Sequence, residues 1–294
     1  MKVDFVKMEG CGNDYVYIDC VKEEFKYPYK SDLAVCISDR HFGVGSDGLI
    51  FVNKSEIADF EMEMYNSDGS RSEMCGNGIR CVAKLVYDKG YTDKKHFTIE
   101  SMGAIKKIFI EEEEDHKANL ITVDMGEPIL TPSLIPVSLD ADAKIAKQVP
   151  ISIDLLSAKA TCVSMGNPHA VIFTDTMTRS WEDLKALPIE RLGPSFENHK
   201  MFPKRVNTEF VKVIDKENVE MRVWERGAGE TLACGTGCCA TVVACVLNER
   251  TERRVTVHLL GGDLKIYWSE EDNHVYMTGP AKTVFTGSFD TKKN

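Results

Sequence analysis

Met74-Cys75-Gly76-Asn77-Gly78 and Ala233-Cys234-Gly235-Thr236-Gly237 are two copies of one short element, 159 positions apart (234 − 75), and each opens an apolar stretch with helical spacing. A chain carrying one element twice at that distance is constrained to two related halves. The repeat is longer than the pentapeptide. At the same offset Tyr65-Asn66-Ser67-Asp68-Gly69 lies over Trp224-Glu225-Arg226-Gly227-Ala228, an apolar strand end running into a polar, Gly-containing loop. A second echo, Gly12-Asn13-Asp14-Tyr15-Val16 against Gly166-Asn167-Pro168-His169-Ala170-Val171, has an offset of 154 (166 − 12), the difference being a loop insertion. The expected architecture is a pseudo-symmetric pair of domains facing each other across a cleft.

Alternation predicts strands at Val3–Lys7, Val16–Asp19, Leu49–Val52 and Phe60–Tyr65, followed by a helix from Cys75 to Lys89 that stops at Gly90. Strands at Phe97–Ser101, Ile105–Ile110 and Leu120–Met125 complete the first half. The second half repeats the order with strands near Thr161–Met165, Ala170–Phe173, Thr208–Ile214 and Val219–Trp224, then a helix from Cys234 to about Asn248. That helix is apolar nearly all round, as a core helix wrapped by strands must be. Closing strands are read at Val255–Leu260, Leu264–Trp268, Val275–Thr278 and Thr283–Phe289. Pro128, Pro132, Pro136 and Pro150 punctuate a stretch containing Ala141–Lys147, read as the linker into the second domain.

With 294 residues, 43% hydrophobic and 28% charged, the chain suits two soluble domains with cores of their own. No apolar run is long enough to span a bilayer. Met1-Lys2-Val3-Asp4-Phe5 opens directly into alternation, so no export signal is expected and the cytoplasm is the expected compartment. A formal net charge of −10 has the wrong sign for nucleic acid. The acidic run Glu111–Asp115 reads as a solvated hairpin turn. Among the ten cysteines, Cys20, Cys36, Cys162 and Cys245 lie in apolar segments, as small buried hydrophobes do. Cys75/Cys81 and Cys234/Cys238/Cys239 offer neither a pair of Cys-x2-Cys elements nor a His at ligand spacing, so no metal is expected.

A thiol at a helix start is expected to have a lowered pKa, because unpaired N–H groups and the helix dipole favour the thiolate. A nucleophile would want one such cysteine with a histidine; only His41 and His169 stand in motif-like contexts, and neither explains a matched pair. Acid–base chemistry does. Inverting a stereocentre removes H⁺ from one face and delivers it to the other, which a thiolate and a thiol on opposite sides accomplish while exchanging roles. Gly76-Asn77-Gly78 and Gly235-Thr236-Gly237 expose backbone N–H groups that suit a substrate carboxylate.

The run from Tyr65 to Cys81 and the run from Trp224 to Gly237 resemble those of diaminopimelate epimerases. Gly12-Asn13-Asp14, Gly43-Val44-Gly45-Ser46-Asp47-Gly48, Gly166-Asn167-Pro168-His169 and Arg205-Val206-Asn207-Thr208-Glu209 are similar to that family's other motifs in the same order. The resemblance implies an α/β (α+β) fold of two pseudo-symmetric domains, each a curled, mostly antiparallel sheet around a central helix. The first would cover residues 1–126 plus a returning strand at 280–294, and the second residues 127–279. It implies a cofactor-free enzyme interconverting LL- and meso-diaminopimelate for lysine and peptidoglycan synthesis, with a homodimer suggested. By motif match Cys75 and Cys234 would be the bases. Gly76, Asn77, Gly235 and Thr236 would hold the reacting carboxylate on their N–H groups, and Asn13, Asn66, Asn167, Asn207, Glu225 and Arg226 the rest of the substrate. Glu225 beside Arg226 supplies one partner for an ammonium and one for a carboxylate. His169 is read either as an orienting residue or as a satisfied turn residue. Cys81 and Cys239 are read as helix packing, and Cys11 and Cys238 as departures from the family pattern.

Two alternatives stand beside this reading. Proline and hydroxyproline racemases resemble the chain around Cys-Gly-x-Gly but have His where Asn77 stands and an Asp-Arg-Ser-Pro-like run where Glu225-Arg226-Gly227-Ala228 stands. A non-enzymatic thiol redox sensor leaves Glu225, Arg226 and the four asparagines without a purpose.

Overall fold

Phe60, Met62 and Met64 are buried while Glu61 and Glu63 between them are only partly covered, the pattern that period-two alternation dictates for a sheet with one packed face. The computed structural model describes residues 2–23, 25–72, 74–139, 143–154 and 156–291. Ala141, inside the stretch read as linker, lies outside the described residues. The chain divides into two units, Met1–Asp124 with Thr278–Asn294, and Met125–Met277. The crossings come two residues before those read from sequence.

In the first unit the order is β1 (Lys2–Gly10), β2 (Asn13–Asp19), α1 (Lys30–Ser38), β3 (Gly48–Asn53), β4 (Phe60–Asn66), β5 (Arg71–Ser72), α2 (Gly76–Asp88), β6 (His96–Ser101), β7 (Ala104–Glu114) and β8 (Lys117–Asp124). The second runs β9 (Val149–Ile153), β10 (Leu156–Ser164), β11 (Pro168–Phe173), α3 (Ile189–Glu197), β12 (Asn207–Val213), β13 (Asn218–Glu225), β14 (Gly229–Thr231), α4 (Gly235–Leu247), β15 (Arg254–Leu259) and β16 (Gly262–Trp268). The chain then crosses within β17 (Val275–Pro280), and β18 (Lys282–Asp290) pairs antiparallel with β1 in the first unit.

The two units share a topology. β1 and β2 are antiparallel, β2 and β3 parallel across α1, β3 and β4 antiparallel, and β4 and β6 parallel across α2. β10 and β11, β11 and β12 across α3, β12 and β13, and β13 and β15 across α4 repeat that sequence of directions. The fold is a sheet-dominated α/β arrangement, mostly antiparallel, with a parallel step wherever a helix intervenes.

α2 is buried from Gly76 to Tyr87, and α4 at nearly every position from Gly235 to Cys245. A helix covered on all sides has to be surrounded by strands, as α2 is by β1, β2 and β8 and α4 by β10, β11, β12 and β16. In α2 that burial includes cations with full partners. Arg80 donates to Gly76 O (3.2 Å), Asn77 Oδ1 (2.9 Å) and Pro280 O (3.1 Å), and Lys84 to Ala118 O (2.6 Å).

α1 and α3 were not read from the sequence. On α1, Leu33, Ala34 and Ile37 pack with Val3, Val16, Leu49 and Phe51 on the sheet. Cys36 falls on the opposite side and is exposed, which corrects its reading as a buried hydrophobe; Cys20, Cys162 and Cys245 are buried. On α3, Leu192 and Phe196 pack with Ala170, Ile172 and Phe210. Gly193 lies so close to the Trp224 ring that a Cβ there would clash with it, so glycine is required by the approach rather than by a turn.

The acidic run is also corrected. Glu111–Glu114 belong to β7, whose ladder with β8 continues through Glu112↔Leu120, Glu113↔Ala118 and Glu114↔Lys117. The turn is Asp115 and His116 alone, both left-handed at φ 50 and 58, as a two-residue hairpin loop requires. The charges stand on an exposed strand end, where carboxylates stay hydrated and the register with β8 shifts on either side of Glu112. Among the described residues no helix is long and apolar enough to cross a membrane.

Candidate active site

Each Cys-Gly-x-Gly copy folds into the same device. Cys75 is the N-cap of α2 and Cys234 the N-cap of α4, both with extended backbone before the first helical turn. The third helical residue is glycine in both, and the cysteine side chain fills the space a Cβ would take. A Cβ on Gly78 would lie 3.3 Å from Cys75 Cβ, and one on Gly237 3.2 Å from Cys234 Sγ and 2.8 Å from Glu209 Oε1. Gly78 donates its N–H to Cys75 Sγ (3.3 Å), an N-cap bond with sulfur as the acceptor.

In the first unit a tight hairpin delivers Asn13 beside Cys75. Cys11 and Gly12 both have positive φ, 54 and 81, as the two-residue turn between β1 and β2 demands. Cys75 Sγ donates to Asn13 Oδ1 (3.1 Å), and Asn13 Nδ2 donates to Asp47 Oδ2 (2.7 Å). Arg40 bridges Asp14 (2.8 Å) and Asp47 (2.9 Å), and Lys7 pairs with Asp14. Burial alone would raise Asp14, but Arg40 and Lys7 hold its carboxyl below the usual range. Burial does raise Asp47. Asn66 is turned to its own loop, where Nδ2 donates to Ser70 Oγ (2.9 Å).

In the second unit the equivalent hairpin delivers Asn167. Its Nδ2 donates to Thr236 Oγ1 (3.2 Å), and Thr236 Oγ1 lies 3.5 Å from Cys234 Sγ. Asn167 Oδ1 lies 3.0 Å from His169 Nε2, and His169 Nδ1 lies 2.6 Å from Glu209 Oε1. His169 and Glu209 come from the parallel strands β11 and β12, and both are fully buried. Since the Asn167 nitrogen is committed to Thr236, its oxygen faces the ring and Nε2 carries the hydrogen. His169 is therefore not a turn residue but the middle of a connected chain.

The expected lowering of the thiol pKa fails at Cys234. Burial, then the nearby Glu225 and Glu209 carboxyls, push it well above the usual thiol range, and the Thr236 hydroxyl and Gly237 N–H only partly oppose them. Helix-start stabilisation is smaller here than desolvation. Glu225 is itself raised by burial and accepts from Thr231 Oγ1 (2.5 Å). Arg226 is exposed, donating Nη1–H to Lys204 O (3.1 Å), while Asn207 Oδ1 accepts its backbone N–H (2.8 Å). Asn207 Nδ2 donates to Pro168 O (2.9 Å), so this amide fastens the loop that carries Arg226. Among the described residues no three His, Cys, Asp or Glu side chains group as a metal site.

The family profile described as diaminopimelate epimerase matches residues 5–131 and 161–284, covering both copies of the device. The chain belongs to the diaminopimelate epimerase family. A diaminopimelate epimerase from Acetivibrio thermocellus is 54% identical over 286 residues, covering 97% of this chain and 98% of its own. One from Methanococcus maripaludis is 51% identical, with 97% and 99% covered. Among solved structures, a phenazine biosynthesis protein of the PhzF family from Bacillus anthracis superposes with a TM-score of 0.70 at 16% identity, covering 99% of each chain. A hydroxyproline epimerase from Agrobacterium vitis gives 0.67 at 12% identity, covering 98% of this chain and 92% of its own. At those identities the two structures share the fold.

Within this epimerase, two side chains stand in the site that sequence reasoning quoted in motifs without giving a role. Asp47 holds Asn13 and Glu209 holds His169. The signal for Glu209 is present in the sequence, a carboxylate immediately before the apolar Phe210-Val211 of a strand, where an acid has to be partnered.

Proposed function

We propose that Cys75 and Cys234 are the two bases of this enzyme, which interconverts LL- and meso-2,6-diaminopimelate. The observation that carries the proposal is the duplicated device, a cysteine N-cap before a glycine-opened helix in two units of one topology. One sulfur, as thiolate, takes the α-hydrogen and becomes a thiol. The electron pair left on carbon delocalises into the α-carboxylate, whose charge the N–H groups of Gly76, Asn77, Gly235 and Thr236 stabilise. The other thiol then gives its proton to the opposite face and is left as thiolate, so atoms and charge balance and the reverse reaction uses the same groups with roles exchanged. Asn13, Asn66, Asn167, Asn207, Glu225 and Arg226 bind the remaining polar groups of the substrate, and no cofactor takes part.

Incubating the reduced enzyme with LL-diaminopimelate, without pyridoxal phosphate or metal, and resolving the stereoisomers by chiral chromatography tests the activity. The meso isomer is expected to form, with proline and hydroxyproline unchanged. Turnover of proline alone would move the enzyme to the racemase branch.

The same proposal places the enzyme in the cytoplasm as a homodimer. Val284 and Phe285 are neighbours on β18, so they point to opposite faces, and both are exposed, at 55% and 46%. A second copy covering one of those faces would bury an apolar side chain that the first unit leaves wet. Sedimentation equilibrium is expected to give twice the 32.9 kDa chain mass; a monomer at every concentration would contradict it.

A further inference from the structure

Asn13 and Asn167 hold equivalent places in the two units, yet their amides point opposite ways. Asn167 turns its nitrogen onto Thr236 Oγ1 (3.2 Å), the hydroxyl beside Cys234, with its oxygen on His169. Asn13 turns its nitrogen away, onto Asp47 Oδ2 (2.7 Å), and its oxygen onto Cys75 Sγ (3.1 Å). Asp47 leaves no choice. A carboxylate has only acceptors, and Asp47 already receives the Asp14 N–H (3.1 Å) and Arg40 (2.9 Å), so an amide oxygen at that position would meet lone pairs. With its nitrogen fixed there, Asn13 presents to sulfur an atom that can only accept, which rewards S–H and penalises the thiolate.

We propose that Asp47 is a positioning residue for Cys75: by locking the Asn13 amide it turns an acceptor onto this sulfur and favours its S–H form, against the Gly78 N–H that favours the thiolate. The proposal rests on the reading of Cys75 as one of the two bases. It adds to differences the halves already show, since Cys234 is buried beside Glu225 and Glu209 while Cys75 is only partly covered. Tyr15 and Tyr17 on β2 and Cys81 on α2 also face Cys75; burial raises all three, so they stay neutral at neutral pH, and the Tyr15 hydroxyl hydrogen-bonds Cys75 as a second donor beside the Gly78 N–H. The charged groups nearby, Asp14, Arg40 and Lys7, are paired with one another and with Asp47.

Site-resolved alkylation tests this without reading turnover. Wild type and Asp47→Asn are treated with iodoacetamide across the thiol titration range, without substrate, and modification of each cysteine is followed by peptide mass spectrometry. Asn at position 47 can donate as well as accept, which frees the Asn13 amide to turn. Cys75 alkylation at neutral pH is expected to rise about tenfold, one unit of titration, with Cys234 unchanged. An unmoved Cys75 profile overturns the proposal. So does a shift that disappears at high salt, since salt screens the lost charge of Asp47 but not the orientation of an amide. If Asp47→Asn does not fold, the side-chain ¹⁵N amide signal of Asn13 in the wild type is followed through acid titration. It is expected to move with Asp47, and a signal indifferent to that carboxylate overturns the proposal equally. Near-normal epimerisation by Cys75→Ala is a separate result that would remove the two-base reading while leaving the alkylation outcome intact.

Discussion

Cys75→Ala and Cys234→Ala are each expected to lower kcat/KM for diaminopimelate by about 10²–10⁴-fold or more, in both directions alike. Each turnover uses one sulfur to take a proton and the other to give one, so removing either stops the forward reaction and its reverse. The double variant should lose little beyond a single one, because the pair acts as a unit. Initial rates from both stereoisomers, measured on the two single variants and the double, check this. A single variant with near-normal turnover would remove the mechanism.

Glu209→Ala is expected to cost about 1–3 kcal/mol of unfolding free energy, the scale for leaving a buried polar group without its hydrogen-bond partner. His169 Nδ1 would lose its contact at 2.6 Å inside a fully covered site. Glu209→Gln keeps the volume and a polar atom for the ring and should cost much less. The two also separate by pH. Burial raises Glu209 above its ordinary value of 4.5, and its Oε2 finds no hydrogen-bond partner among the described residues. The native state therefore retains a proton that the unfolded chain releases as pH climbs past 4.5. The stability belonging to the neutral acid is present below the unfolded value and is lost as pH rises toward the folded one. Glutamine has no proton to release, so the stability of Glu209→Gln relative to wild type should improve steadily from pH 4.5 upward. Denaturant unfolding at a series of pH values measures the difference, and a flat difference would mean that Glu209 is ionised in the fold.

The duplicated pentapeptide made both cysteine-capped helices legible, because an N-cap followed by apolar residues at helical spacing is a local signal. Strands such as β4 were legible for the same reason, their alternation lying within seven residues. α1 and α3 were not. Each has nine residues, too short to stand on propensity. α3 contains Gly193 and Pro194, which local rules count against a helix, and packing of Leu192 and Phe196 on the sheet overrides them. At the site, the local argument for a lowered thiol pKa failed at Cys234 because the opposing groups come from elsewhere, Glu209 from β12 and Glu225 from β13. Their effect depends on which strands become neighbours. The same is true of His169, whose partners Asn167 and Glu209 are set by the loop before β11 and by the parallel register with β12.

The central claim is that one group removes the α-hydrogen and a different group replaces it. The direct measurement is proton NMR and mass spectrometry of the early products when LL-diaminopimelate is turned over in D₂O. Two bases predict that the first meso-diaminopimelate carries solvent deuterium at the inverted carbon while unreacted substrate stays protiated. Substrate-derived protium retained at that carbon in the product would show one group moving the same proton between faces, and would contradict the account.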